Sequence, residues 1–348
     1  MKDSRTCSHT GLYLVILLLI LGLGASLAMN AGLLAGRAMR GFSSAAEATP
    51  ADEKPDFKEI WSWGEGEVKA VRIPIQGALF RETPSTLFGP KYDPIESVLR
   101  QIRAAQSDPD VRALLLEVSS PGGEVTAADE IRHAVETFKK SAPDRKVVAF
   151  VQDMAASGGY YLILPADRIV AERTAMLGSI GVILQTLNWK GLSERLGVTD
   201  TTIKVGEHKD MLNPFHDVPP EQIALLQDMI NVSYRQFFEA ILAARGLPEA
   251  RLREVADGRV FDAELALRYQ LVDSIGYWGD ALNLLRELLG VEELKLVRYE
   301  HIPSFSEWLA TARWPVPPAW SGPLRYLAGE SWPAAGMDTP RPLYLWRP

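Results

Sequence analysis

The chain has one cysteine, Cys7, in 348 residues. It therefore forms no internal disulfide and no thiolate metal cluster. Histidine is also scarce: five are present, at 9, 133, 208, 216 and 301. No pair of them has the spacing of a metal site, so neither a metal nor a cofactor is expected. Positive charge is never concentrated. Lys and Arg number 37 against 44 Asp and Glu, a net charge of -7. Without a basic block, nucleic-acid binding has no electrostatic support. No fixed-period repeat occurs. What is present is an ordinary globular balance, 47% hydrophobic and 23% charged.

One segment breaks that balance. Residues 1–10 are polar, and residues 11–36 then carry no charge at all. That run exceeds the roughly 20 residues needed to span a bilayer. A cleaved signal peptide competes, since Ala25, Ala28 and Ala31 supply small-residue steps. The length of the run favours a retained transmembrane anchor. Lys2 and Arg5 before it nearly balance Arg37 and Arg40 after it, so charge alone leaves the orientation open. Residues 37–66 read as a tether ending in Trp61 and Trp63. A folded domain is expected over 67–290, and 291–348 read as an extended arm rich in Trp and Pro.

Within the domain, strand and helix patterns alternate. Val68–Ile75, Val111–Val118, Val147–Val151 and Arg168–Ala171 read as strands, with further strands expected at Val182–Leu187 and Thr201–Val205. Asp93-Pro94 opens a helix as cap and first residue. Ala127, Ile131, Val135 and Phe138 mark a second helix. A third is expected from Pro220 to Arg245, closed by Gly246. This order predicts an α/β fold with parallel pairing.

The chemistry centres on Met154-Ala155-Ala156-Ser157-Gly158-Gly159-Tyr160-Tyr161. A serine among small residues, between a buried strand and a helix-like pattern, has the layout of a nucleophile elbow. A serine N-cap at a tight turn is the competing reading. Pro121-Gly122-Gly123 follows an earlier strand, and its N–H groups, with that of Gly158, suit an oxyanion hole. A plain strand-to-helix turn has the same glycines. Lys209 is the candidate base and Ser179 the candidate hydroxyl that orients it. A lysine base requires its pKa to fall from about 10.4 to near the working pH, which costs roughly 4 kcal/mol. An exposed lysine with no such role is the plain alternative.

These blocks, taken in order, resemble the signal peptide peptidase A family of membrane-bound serine proteases, in its short form. They are Ser120-Pro121-Gly122-Gly123, the Ser157 block, Gly178-Ser179-Ile180-Gly181, Lys209-Asp210, and Asp257-Gly258-Arg259-Val260-Phe261 with Leu271-Val272-Asp273. The resemblance implies a Clp-protease/crotonase-like fold of ββα units, one catalytic domain behind one N-terminal helix. It implies a Ser157–Lys209 dyad with Ser179 positioning the lysine and with Gly123 and Gly158 as oxyanion donors. It implies a homo-oligomer in a bacterial inner membrane, single-pass, with the catalytic domain on the periplasmic side, cleaving remnant signal peptides. Glu124 departs from the family, where this position is often small, and is expected to affect the groove rim. Similar tails in short-form members lead to the expectation that residues 340–348 bind a groove as a strand or are self-trimmed. Three rivals stay open: a Ser-His-Asp hydrolase using His208 or His216 with Asp217, a crotonase-type acyl-CoA enzyme, and a membrane scaffold without chemistry.

Overall fold

The computed structural model describes residues 57–81 and 93–300, Pro55, the backbone of 343–345 and, near the N-terminus, residues 19, 21–24 and 26. The expected anchor thus lies mostly outside the described residues. Those within it are helical and exposed, and among the described residues no helix is long and apolar enough to cross a membrane. Residues 1–50 and 51–348 form two separate compact units. The second holds the fold.

Its strands are β1 (Lys58–Trp63), β2 (Lys69–Gln76), β3 (Val111–Ser120), β4 (Gly122–Glu124), β5 (Lys146–Ala156), β6 (Arg168–Ala171), β7 (Met176–Gly178), β8 (Val260–Asp262), β9 (Ser274–Ile275), β10 (Lys295–Glu300) and β11 (Leu343–Leu345). The main sheet runs β1-β10-β2-β3-β5-β6-β9. From β10 to β9 every pair is parallel, and β1 closes one edge antiparallel to β10. Parallel pairing needs crossovers, and these bring helices onto both faces. The central strand β3 is accordingly buried almost without a break.

Helices α1 (Pro94–Ser107) and α2 (Val125–Lys140) cover one face. Asp93 caps α1, accepting from the N–H groups of Ile95 and Glu96 at 2.9 and 3.0 Å. Helix α2 buries Ala127, Ile131, Val135 and Phe138, the stripe its spacing predicts. Later in the chain, α8 (Trp278–Leu289) packs Ala281, Leu282 and Leu285 against Leu115, Phe150 and Leu296 on the other face. A buried carboxylate in β3 is satisfied there. Arg72 clasps Glu117 through Nε at 2.7 Å and Nη2 at 2.8 Å, and Gln152 donates to it at 2.8 Å. The remaining helices are α3 (Gly158–Tyr161), α4 (Lys190–Leu196), α5 (Pro220–Arg245), α6 (Glu249–Val255) and α7 (Ala263–Arg268).

The structure departs from the sequence expectation in two places. The sheet takes in β1, which reads as tether, and β10, which reads as arm, because each finds a partner strand distant in sequence. Conversely, 182–187 and 201–205 are not strands. Ile183 makes only a single bridge, and Ile203 and Val205 lie in no strand and are 96% and 97% exposed.

Phe138 is fully buried where α2 meets the sheet. Phe138→Ala is expected to cost about 3–5 kcal/mol, seen as a lower urea midpoint. An unchanged midpoint would remove this residue from the core.

Candidate active site

Strand β5 delivers Ser157 to the junction with α3. The serine has φ 52 and ψ −117, a conformation that a residue with a Cβ rarely adopts. Three hydrogen bonds hold it there. Its N–H donates to the carbonyl of Gly178 at 2.7 Å, and its own carbonyl accepts from Tyr160 and Tyr161 at 3.0 and 2.9 Å. Ser157 is 1% exposed. Its hydroxyl makes no hydrogen bond among the described residues and does not cap the helix. The cap reading therefore fails on geometry, and the hydroxyl is left for other work.

Strand β7 lies parallel to the end of β5, with Ala156 opposite Gly178. One residue further on, Ser157 and Ser179 therefore stand side by side. Ser179 repeats the strained backbone, φ 51, and its N–H donates to the carbonyl of Arg259 at 2.7 Å. It too is buried. Beside it opens a cavity of about 330 Å³, walled by Ile180, Val182, Ile183, Ile230, Asn231 and Tyr234.

Helix α3 is locked from three sides. A Cβ at Gly159 would stand 2.5 Å from the carbonyl oxygen of Ser120, so only glycine allows this approach. Tyr160 donates its hydroxyl to Leu271 O at 2.6 Å, and Tyr161 donates to Asp129 Oδ1 at 2.7 Å. Burial pushes both phenols well above the usual tyrosine range, so they act as donors. The first N–H groups of a helix have no intrahelical acceptor, and in α3 these belong to Gly158 and Gly159.

Strand β4 carries Gly123. Leu79 donates to Gly122 O and accepts from the N–H of Glu124, both at 2.9 Å. Strand alternation then turns the N–H and C=O of Gly123 to the opposite edge. A Cβ at Gly123 would meet Leu79 O at 2.3 Å. Ser120 pins the turn, donating its hydroxyl to Gly77 O at 2.7 Å and accepting from Gly122 N–H at 3.1 Å. The contributions of Leu79 and Gly77 have no motif in the sequence, since neither side chain takes part.

The free edge of β4 is occupied. Strand β11 lies antiparallel along it, with Leu343 opposite Glu124, Tyr344 opposite Gly123 and Leu345 opposite Gly122. Some of its Cα atoms come within 8 Å of α3. The tail thus runs as an extended strand beside the serine junction.

Lys209 is not brought to this junction. It sits in a turn after Gly206, exposed, and its amine has no partner among the described residues. The turn is braced around it. Lys204 pairs with Asp210, which holds that carboxyl below its usual range, and donates to Glu207 O at 2.8 Å. Hydrogen bonds from Thr202 and Asn213 likewise lower Asp200. The histidines stand apart as well. His216 faces Asp200 at 3.5 Å, while Asp217 pairs with Lys190. The His216–Asp217 couple of the rival triad does not form. Among the described residues, no cluster of His, Cys, Asp and Glu suits a metal ion.

Residues 139–292 match peptidase family S49, a stretch that includes Ser157, Ser179 and Lys209 but begins after Gly123. A putative signal peptide peptidase SppA of Enterococcus faecium is 33% identical over 293 residues, covering 83% of this chain and 84% of that protein. The chain belongs to the SppA family of serine peptidases. A putative protease of Methanocaldococcus jannaschii is 39% identical over 194 residues, 56% of this chain and 61% of that one. Protease 4 of Salmonella typhi is 32% identical over 233 residues, 64% of this chain and 35% of that one. Among solved structures, a ClpP1 mutant of Listeria monocytogenes is similar at a TM-score of 0.40 and 16% identity, over 61% of this chain and 94% of that one. Membership in the SppA family makes the chain a serine-type peptidase and displaces the acyl-CoA and scaffold readings.

Gly159→Ala is expected to push α3 off Ser120 and slow phosphonylation of Ser157 by a fluorophosphonate probe, with loss of fluoride, by about 10²-fold. Labelling at the wild-type rate would show that this close approach does not position the serine.

Proposed function

We propose that the chain is an endopeptidase in which Ser157 is the nucleophile and Lys209 the general base. The observation that carries this reading is an extended peptide strand lying on β4 beside a buried serine whose hydroxyl is uncommitted. The neutral amine of Lys209 takes the proton of Ser157 Oγ as Oγ attacks the peptide carbonyl carbon. The N–H groups of Gly123 and Gly158 hold the oxyanion. The lysine ammonium then protonates the leaving amine, and water hydrolyses the acyl-serine by the same route. Ser179, beside Ser157, orients the amine.

A lysine that works as a base must leave water. In one chain Lys209 is exposed, on a segment that also exposes Leu196, Ile203 and Val205 by 68%, 96% and 97%. A second copy of the chain packed on this segment would cover the apolar side chains and desolvate the lysine together. The reading is therefore a homo-oligomer whose active site is complete only on assembly. The fold is of the Clp-protease/crotonase kind. The charge-free run 11–36 anchors the chain in the inner membrane with the domain on the periplasmic side. Its substrates are peptides at that membrane, remnant signal peptides foremost.

Ser157→Ala and Lys209→Arg are each expected to lower kcat/KM on an apolar peptide by about 10²–10⁴-fold or more, since arginine does not deprotonate. Replacing both His208 and His216 by alanine leaves most activity. The reverse pattern would remove Lys209 from the mechanism. Co-assembling the inactive Ser157→Ala and Lys209→Ala variants should restore part of the activity. No recovery from mixtures that do assemble would place both residues of each site in one chain.

A further inference from the structure

We propose that Asp129 and Glu130, neighbours on α2, are positioning residues that set the two oxyanion donors against each other. Asp129 holds the helix that carries Gly158, and Glu130 holds the strand that carries Gly123. This rests on the reading of Ser157, Gly123 and Gly158 given above, and adds two residues that act through others.

An oxyanion hole made of two N–H groups works only if both point at one oxygen. Here the two come from segments far apart in the chain, β4 and the start of α3. The close approach of Gly159 to Ser120 ties these segments at one point. A single contact fixes a distance but leaves an orientation free, and α2 supplies the second tie. Its first turns bury Ala127, Ala128 and Ile131 completely in the core, so the helix is a firm reference. Successive helical residues project about 100° apart. Asp129 and Glu130 therefore reach different neighbours.

Asp129 reaches α3. Its Oδ1 accepts from the hydroxyl of Tyr161 at 2.7 Å. Burial pushes that phenol above the usual tyrosine range, so it stays protonated and donates. Arg132 of α2 lies over the same ring, 5.2 Å from its centre. Tyr161 in turn closes α3 on the serine, its N–H donating to the Ser157 carbonyl at 2.9 Å. The anchor on Tyr161 thus sets the tilt of the helix whose first N–H belongs to Gly158.

Glu130 reaches the other flank. It pairs with Arg81, which Asp93 also holds at 3.2 Å. Two residues before Arg81, Leu79 bonds both neighbours of Gly123, Gly122 O and Glu124 N–H, at 2.9 Å each. At the near end of this short segment, Gly77 donates to Ser119 O at 2.9 Å and accepts from the Ser120 hydroxyl at 2.7 Å. Arg81 secures the far end. Residues 77–81 are clamped at both ends, and the clamp sets the angle at which β4 presents Gly123.

The test measures kcat, KM and the affinity of a tetrahedral mimic on full-length protein. The mimic is the trifluoromethyl ketone of an apolar peptide that the protein cleaves. Ser157 Oγ adds to its carbonyl carbon, the hydroxyl proton passes to the base, and the ketone oxygen becomes the oxyanion. Asp129→Leu and Glu130→Ala are each expected to lower kcat about three- to tenfold and to weaken ketone binding by a similar factor, with KM changed less than about twofold. They act on different donors, so their effects should multiply in the double variant. Tyr161→Phe breaks the same bond as Asp129→Leu, so combining those two should lower kcat no further than either alone. Asp129→Asn keeps an acceptor and should keep most of the rate. Where a variant folds poorly, Tyr161→Phe and Arg81→Gln break the same two contacts from the other side. Unchanged kcat and ketone affinity in these variants overturn the inference, as does a loss confined to KM or to melting temperature. Activity retained by Ser157→Ala would remove the reading of the site and this inference with it. An inactive Ser157→Ala beside unaffected Asp129 and Glu130 variants removes this inference alone.

Discussion

The structure depends on one hydrogen bond, from the N–H of Ser157 to the carbonyl of Gly178. It ties the ends of two neighbouring parallel strands at the point where each leaves the sheet. A serine at φ 52 is unfavourable on its own. Residues in sparsely populated regions cost about 1–3 kcal/mol each and persist only where their surroundings over-determine them. Here the surroundings are the parallel pairing of β5 with β7 and the short helix α3, in which the N–H groups of Tyr160 and Tyr161 donate to the serine carbonyl. Ser179 repeats the strain one strand away. Two serines at matched strand ends thus emerge from the same backbone device.

Around that bond the distant motifs meet. Ser120 presents its carbonyl to the bare Cα of Gly159, Arg259 accepts from Ser179, and Leu271 accepts from the hydroxyl of Tyr160. Asp273 adds a contact further out, accepting from the N–H of Ile169 at 2.7 Å and pairing with Arg245. Most of these contacts run through backbone carbonyls. The residue types matter because they let the backbone approach, or because a tyrosine reaches across to it. Four of the five sequence blocks are therefore parts of one scaffold for the serine.

The fifth block, Lys209-Asp210, belongs to another part of the molecule. Its turn is braced by Lys204, Asp200 and Asn213, all polar and all on the same segment. Leu196, Ile203 and Val205 of that segment face solvent instead of the core. In the proposed homo-oligomer this is the surface that a second copy of the chain would cover. The tail behaves in the opposite way: β11 finds its partner in β4, within its own chain. The tail strand is thus paired within its own chain, and the turn that carries Lys209 is exposed.

The sequence by itself determined the elements whose signals are local. Helix α1 follows from Asp93-Pro94 and its apolar stripe, α5 from its length and Gly246, and β6 from four consecutive residues with strand character. It also singled out Ser157, Ser179 and the glycines, because a strained turn restricts the residue types that can occupy it. Only the tertiary structure decided what depends on pairing. Residues 58–63 and 295–300 became strands because each found the other, while the β-branched residues at 201–205 found no partner and stayed irregular. It alone placed Leu79 behind Gly123 and the tail in front, fixing which way that glycine's N–H points. Direction and register are relations between segments far apart in the chain, and no local pattern of side chains encodes them.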